Sequence, residues 1–151
     1  MSEFAPRKPH GLGPLGEFAN TWEQLASLPE EHPARARQLL QRCLEDACRA
    51  TTAATINLGR WGLCTLPRGW LLDNVRTPLF ALLRQGDGWE YRRALELASL
   101  LDSRELVTAL IAHGTNSDDG EIRAMAVEWE ERDRGSAGSS ERTTGSRSGR
   151  T

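Results

Sequence analysis

Val75-Arg-Thr-Pro-Leu-Phe-Ala-Leu-Leu-Arg-Gln-Gly86 and Ser103-Arg-Glu-Leu-Val-Thr-Ala-Leu-Ile-Ala-His-Gly114 are one helical phrase written twice. Arg76, Ala81, Leu82 and Gly86 fall on Arg104, Ala109, Leu110 and Gly114 at a constant offset of 28. After a three-residue insertion the match resumes at an offset of 31, with Glu90-Tyr-Arg92 over Glu121-Ile-Arg123. A two-helix unit repeated at roughly 30 residues is the sequence mark of an α-solenoid, because one such unit cannot bury its apolar face alone. The expected fold is therefore all-α, a short solenoid of antiparallel helix pairs with disordered termini.

The helix starts carry their own punctuation. Asp87-Gly-Trp-Glu90, Asp102-Ser-Arg-Glu105 and Asp118-Asp-Gly-Glu121 each read as Asp-x-x-Glu, the acidic variant of the capping box. Each opens an amphipathic run: Tyr91, Ala94, Leu95, Ala98 and Leu101; then Leu106, Val107, Leu110 and Ile111; then Ile122, Met125, Ala126 and Trp129. The helix before them, predicted over 74–85, has Pro78 in its opening turns, where a lost N–H is tolerated, and ends at Gly86.

Upstream, Thr21-Trp-Glu-Gln24 has the form of a capping box for a short helix to about Leu28, which Pro29-Glu-Glu-His-Pro33 should break. Pro33 suits a first helical position. Leu40, Cys43 or Leu44, Ala47, Thr51, Ala54 and Leu58 then recur in steps of three and four, which predicts one long helix from Pro33 to Leu58 stopped by Gly59. The small residues Ala50-Thr-Thr-Ala-Ala-Thr-Ile56 predict a close helix crossing. The less regular stretch from Trp61 to Trp70 reads as a loop followed by one short turn or helix, Pro67–Asp73, about seven helices in all.

Composition sets limits on function. Residues 1–16 hold three Pro and three Gly and read as a flexible arm; residues 134–151 hold one Ala and no larger apolar side chain, so they lack the burial that offsets ordering entropy. The folded domain is thus expected over 17–133, with 17–73 a divergent repeat or cap and 75–133 the two repeat units. In 17–133, 13 Arg face 19 Asp and Glu, a net charge of −6, whereas the tail has four Arg and one Glu. An acidic body disfavours nucleic acid, which needs a basic surface. The apolar runs are too short for a membrane span, and the N-terminus lacks a secretory pattern. Three Cys make no disulfide framework, which favours a reducing, cytoplasmic setting.

Glu90-Tyr-Arg92 and Glu121-Ile-Arg123, near the start of every second helix, resemble HEAT-like (armadillo-type) repeats, where a stretch of the form Asp/Glu-hydrophobic-Arg-x-x-Ala opens the second helix of each pair. The resemblance covers 75–133. It implies a stack of antiparallel helices used as a protein-binding scaffold, with no catalytic residue and no cofactor. A minority of that family are bilin lyases or DNA-repair glycosylases, and no motif of either occurs here. The resemblance also implies that Arg92 and Arg123 form a structural ladder, each pairing with a carboxylate or helix-end carbonyl of the neighbouring repeat.

Partner contact is then expected at positions off the apolar stripes: Arg93 and Glu96 on one second helix, Ala124 and Glu128 on the next, and Trp89 beside Arg92 and Arg93. Trp22 and Trp129 fall on stripes and read as core; Trp61 and Trp70 lie in the less regular stretch. Cys43, Cys48 and Cys64 match no metal spacing and read as buried thiols, and His113 suits a helix C-terminus. Two other readings stay open: a lyase or other small-ligand enzyme using His113 or a Cys in an apolar pocket, and a subunit of a larger assembly that self-associates through Met125 and Val127.

Overall fold

The structure is a computed structural model that describes residues 11–141, with side chains described to residue 135. The described residues form a 3₁₀ turn, Gly13–Glu17, and eight α-helices, with no strand: α1 (Trp22–Glu31), α2 (Pro33–Arg49), α3 (Ala53–Thr65), α4 (Arg68–Asn74), α5 (Arg76–Leu83), α6 (Gly88–Leu100), α7 (Arg104–Thr115) and α8 (Gly120–Glu141). None of these helices is long and apolar enough to cross a membrane. The chain divides into two compact units, one up to Val107 and the other from Thr108.

In the first unit α2 is the central element, packed against α1, α3, α5 and α6. Leu39, Leu40, Cys43, Leu44, Ala47 and Cys48 are buried along it, a wide apolar face made by steps of three and four residues. The predicted long helix ends at Arg49 instead of Leu58. Ala50 and Thr52 take extended backbone angles, and the Thr52 hydroxyl accepts the Thr55 N–H, starting α3 afresh. Thr51 and Ala54, expected on the stripe, are exposed. Two threonines in succession, Thr51 and Thr52, favour that break, since a threonine caps a helix better than it continues one.

Gly59 is consequently no helix stop but the middle of α3, at its closest approach to α2. A Cβ there would lie 2.7 Å from the Cys43 carbonyl oxygen, 2.8 Å from the Ala47 nitrogen and 2.8 Å from the Asp46 Cβ. One turn on, a Cβ at Gly62 would lie 2.6 Å from the Cys43 sulfur. The close crossing exists, but glycines three apart make it, not the Ala/Thr run. The stretch 61–65 is helical rather than loop; Pro67 then precedes the short α4, as expected.

Two other boundaries move. Pro29 lies inside α1, which runs on to Glu31. The lost N–H costs a bond to the preceding turn, and the chain recovers at His32, whose N–H reaches the Leu28 carbonyl at 2.7 Å. Part of the predicted arm also folds: Leu15, in the 3₁₀ turn, is fully buried. Residues 1–10 and 142–151, which include most of the two predicted disordered segments, lie outside the described residues.

The three helix starts carry side-chain caps, shifted by one residue at two of them. Asp87 caps α6, its carboxylate accepting the Trp89 and Glu90 N–H groups at 3.1 Å. At the next start Ser103 is the cap, accepting from Leu106, while Asp102 adopts φ +52° and closes the preceding helix. At the third, Asp119 rather than Asp118 accepts from Glu121 and Ile122. In the second unit Leu110, Ile122 and Ala126 are buried, and α8 continues to Glu141 past the predicted end at Asp133.

Candidate functional site

A groove of the first unit lies between the N-terminal half of α3 and the exposed face of α6. It is open and has a volume of about 630 Å³. Trp89, Arg92, Arg93 and Glu96 line it from α6, and Arg60 from α3. Its apolar side is made by Ala53, Ala54 and Ile56, in the first turn of the helix that Thr52 caps. The break between α2 and α3 thus creates this wall; a continuous helix through residue 58 would not present it.

Glu96 is the single carboxylate of the lining, and two guanidinium groups share it. Arg60 Nη2 lies 2.7 Å from Glu96 Oε2, with both side chains mostly buried, and Arg92 Nε lies 3.6 Å from Oε1 one turn back on the same helix. The Arg92 side chain is 59% exposed, so that pair contributes little. Arg60 Nε is buried with no acceptor.

Arg93 is the unusual member. It is buried to 7% exposure, with Nη1 donating to the Ala50 carbonyl at 2.7 Å and the guanidinium lying over the Trp89 ring, 4.4 Å from its centroid. Among the described residues no carboxylate lies within 4.0 Å of it. Taking such a cation out of water costs several kcal/mol. A charge-assisted bond to a carbonyl returns about 1.5–3 kcal/mol and a desolvated indole face about 2 kcal/mol. These contributions come close to balance, with no carboxylate of the described residues within 4.0 Å to add to them.

The structure therefore exchanges the roles of two adjacent arginines. The helix-end carbonyl contact expected of Arg92 is made by Arg93, which bonds the residue ending α2, while Arg92 stays exposed and pairs within its own helix. Arg123 likewise bonds locally, to the Ser117 carbonyl at 2.7 Å just before α8. Arg92 and Arg123 thus make their polar contacts within or beside their own helices. Side chains on successive positions point about 100° apart on a helix, and α6 packs on both α2 and α5, so its buried arc reaches Arg93.

Of the expected contact residues, Trp89, Arg93 and Glu96 come together in the groove, and Trp89 is 57% exposed. Ala124 and Glu128 belong to α8 of the second unit, both exposed, with Glu128 held to Arg132 at 3.0 Å. Sequence reading missed Arg60, because it set a helix stop at Gly59, where the structure has the middle of α3. The remaining tryptophans are half-buried: Trp22 and Trp61 meet edge to face at 6.3 Å, and Arg132 lies over Trp129. Val127, 48% exposed, and half-buried Met125 lie on α8.

The thiols are placed against chemistry. Burial pushes Cys48 up to about 12 although the Arg60 guanidinium pulls the other way, and burial with the nearby Asp46 carboxylate takes Cys43 to about 12. A thiol held protonated is no nucleophile. Cys64, expected to be buried, reaches the surface. The groove lining holds no hydroxyl, thiol or imidazole; His113 lies on α7, away from the lining residues in sequence and absent from them. Among the described residues no group of three or more His, Cys, Asp or Glu is placed to hold a metal ion. Comparisons of the chain with protein-family models, curated proteins and solved structures returned no match.

Proposed function

We propose that this protein is a non-catalytic binding module, a short HEAT-like helical scaffold that takes a segment of another protein in the α3–α6 groove. The observation that carries the reading is Trp89: a large aromatic ring, more than half exposed, stiffened by a buried arginine and set at the mouth of a groove. Exposing an indole costs solvation free energy, and Trp beside Arg is the usual make-up of an interface anchor. The lining supports binding over catalysis, since its ionic groups are arginines and one shared carboxylate, with no acid–base or nucleophilic set. The helix starts at Asp87, Ser103 and Asp119, spaced 16 apart, support the repeat architecture. Reduced thiols fit a cytoplasmic setting.

Selection of a random dodecapeptide display library on the purified full chain tests the proposal, with Trp89→Ala as the comparison target. Selected peptides should lose roughly thirtyfold or more in affinity for Trp89→Ala, the scale of an interface hot spot. Peptides that bind both proteins equally, or a library from which nothing is selected, refute it.

A further inference from the structure

We infer that the occupant of the groove is an acidic polypeptide segment, one carboxylate of which supplies the counter-ion that Arg93 lacks inside the fold. This rests on the binding-module reading above and adds the chemistry of the partner. Three guanidinium groups line the groove against a single carboxylate, and Glu96 is already divided between Arg60 and Arg92. Arg93 has a neutral carbonyl and an indole face for company, and no carboxylate of the described residues lies within 4.0 Å of it. A buried cation without an anion is the feature that a binding partner of opposite charge resolves.

The form of the partner follows from the rest of the lining. A guanidinium presents its N–H groups as a planar fork that matches a carboxylate, and Arg92, exposed and only loosely tied to Glu96, is free to turn toward an incoming one. Ala53, Ala54, Ile56 and the outer face of Trp89 offer apolar surface beside these charges, as suits an aliphatic or aromatic residue next to an Asp or Glu. A nucleic acid fits worse, since a run of phosphates calls for an extended basic surface, whereas the groove offers three guanidinium groups, two of them already sharing Glu96. The chain's own C-terminal segment has the wrong sign: residues 134–151 hold four Arg and one Glu.

Fluorescence anisotropy on the full chain tests the inference. The probes are labelled dodecapeptide pools rich in Asp and Glu, the same pools with every Asp and Glu replaced by Asn and Gln, Lys-rich pools, and a single-stranded oligonucleotide of matched charge. The acidic pool should bind at least about tenfold more tightly than its amide counterpart and weaken as salt is added. Arg93→Met and Arg92→Gln should each lower that affinity; Arg92→Gln changes an exposed side chain, so it decides the matter should Arg93→Met fail to fold. Equal binding of the amide pool, preference for the Lys-rich pool, oligonucleotide binding as tight as the acidic pool, or unchanged affinity in the folded variants would overturn it. Neutral peptides that are selected and still depend on Trp89 would overturn the acidic partner alone; no Trp89-dependent peptide of any composition would overturn the groove as well.

Discussion

Alanine at Gly59 tests the packing on which the groove is built. In the interior of a helix the change from glycine normally adds stability, up to about 1 kcal/mol. Here the new methyl would sit 2.7–2.8 Å from a carbonyl oxygen, a backbone nitrogen and a Cβ of α2. None of these is the end of a flexible side chain, so α3 must move off α2 as a body, and overpacking of that kind costs about 1–3 kcal/mol. Three contacts on rigid atoms place Gly59→Ala at the upper end, for a net loss of roughly 2 kcal/mol once the propensity gain is subtracted. In a unit of this size that is a fall in Tm of roughly 8–16 °C, read by far-UV circular dichroism with urea unfolding as a second measure. Gly69→Ala is the control: a Cβ there meets nothing within 4 Å, so the same chemical change should be neutral or stabilising. A Gly59→Ala protein as stable as wild type would refute the close α2–α3 approach. Equal losses at both positions would show that the effect is not packing.

Thr52→Ala separates two helices from one: losing the cap over Thr55 should cost about 1 kcal/mol, whereas in a continuous helix alanine would stabilise, so the sign of the change in urea midpoint is decisive. Alkali should destabilise the protein. Burial raises Cys43 and Cys48 from 9.0, and Tyr91 from 10.0, to about 12 each. Stability from these groups is therefore full below about pH 9 and falls from there toward pH 12, as the unfolded chain releases protons that the folded one retains. The two thiols alone give a slope of up to about 2.7 kcal/mol per pH unit, and a urea midpoint unchanged between about pH 8 and pH 10 would contradict their burial.

The caps show how far local chemistry is legible. Asp87 sits where its pattern puts it, because Gly88 and Trp89 leave no competing acceptor. At the other two starts a second acceptor stands next door, Ser103 after Asp102 and Asp119 after Asp118, and the chain uses the one nearer the helix. A four-residue pattern cannot rank two acceptors one position apart, since either satisfies the same orphan N–H groups. The Pro33–Leu58 stripe failed for a related reason. Thr51, Ala54 and Leu58 keep helical spacing with Leu40 and Ala47, but a three-residue break at Ala50-Thr-Thr52 restarts the chain, and small residues fit both a helix and its cap.

By itself the sequence determined that this chain is helical, where most helices begin, and that Trp89, Arg93 and Glu96 share one stretch of α6 surface. Those properties are local: they depend on residues three or four apart and on the groups each helix end leaves unpaired. Which of two adjacent arginines is buried, that Arg60 joins them, and that α3 leans on α2 through Gly59 were decided only by tertiary packing. Arg93 and Arg92 have the same chemistry and neighbouring positions; one is enclosed because α2 ends beside it at Ala50, a residue 43 positions away. No short-range pattern carries that distance, and it is what turns a charged helix face into a groove with an unmatched cation.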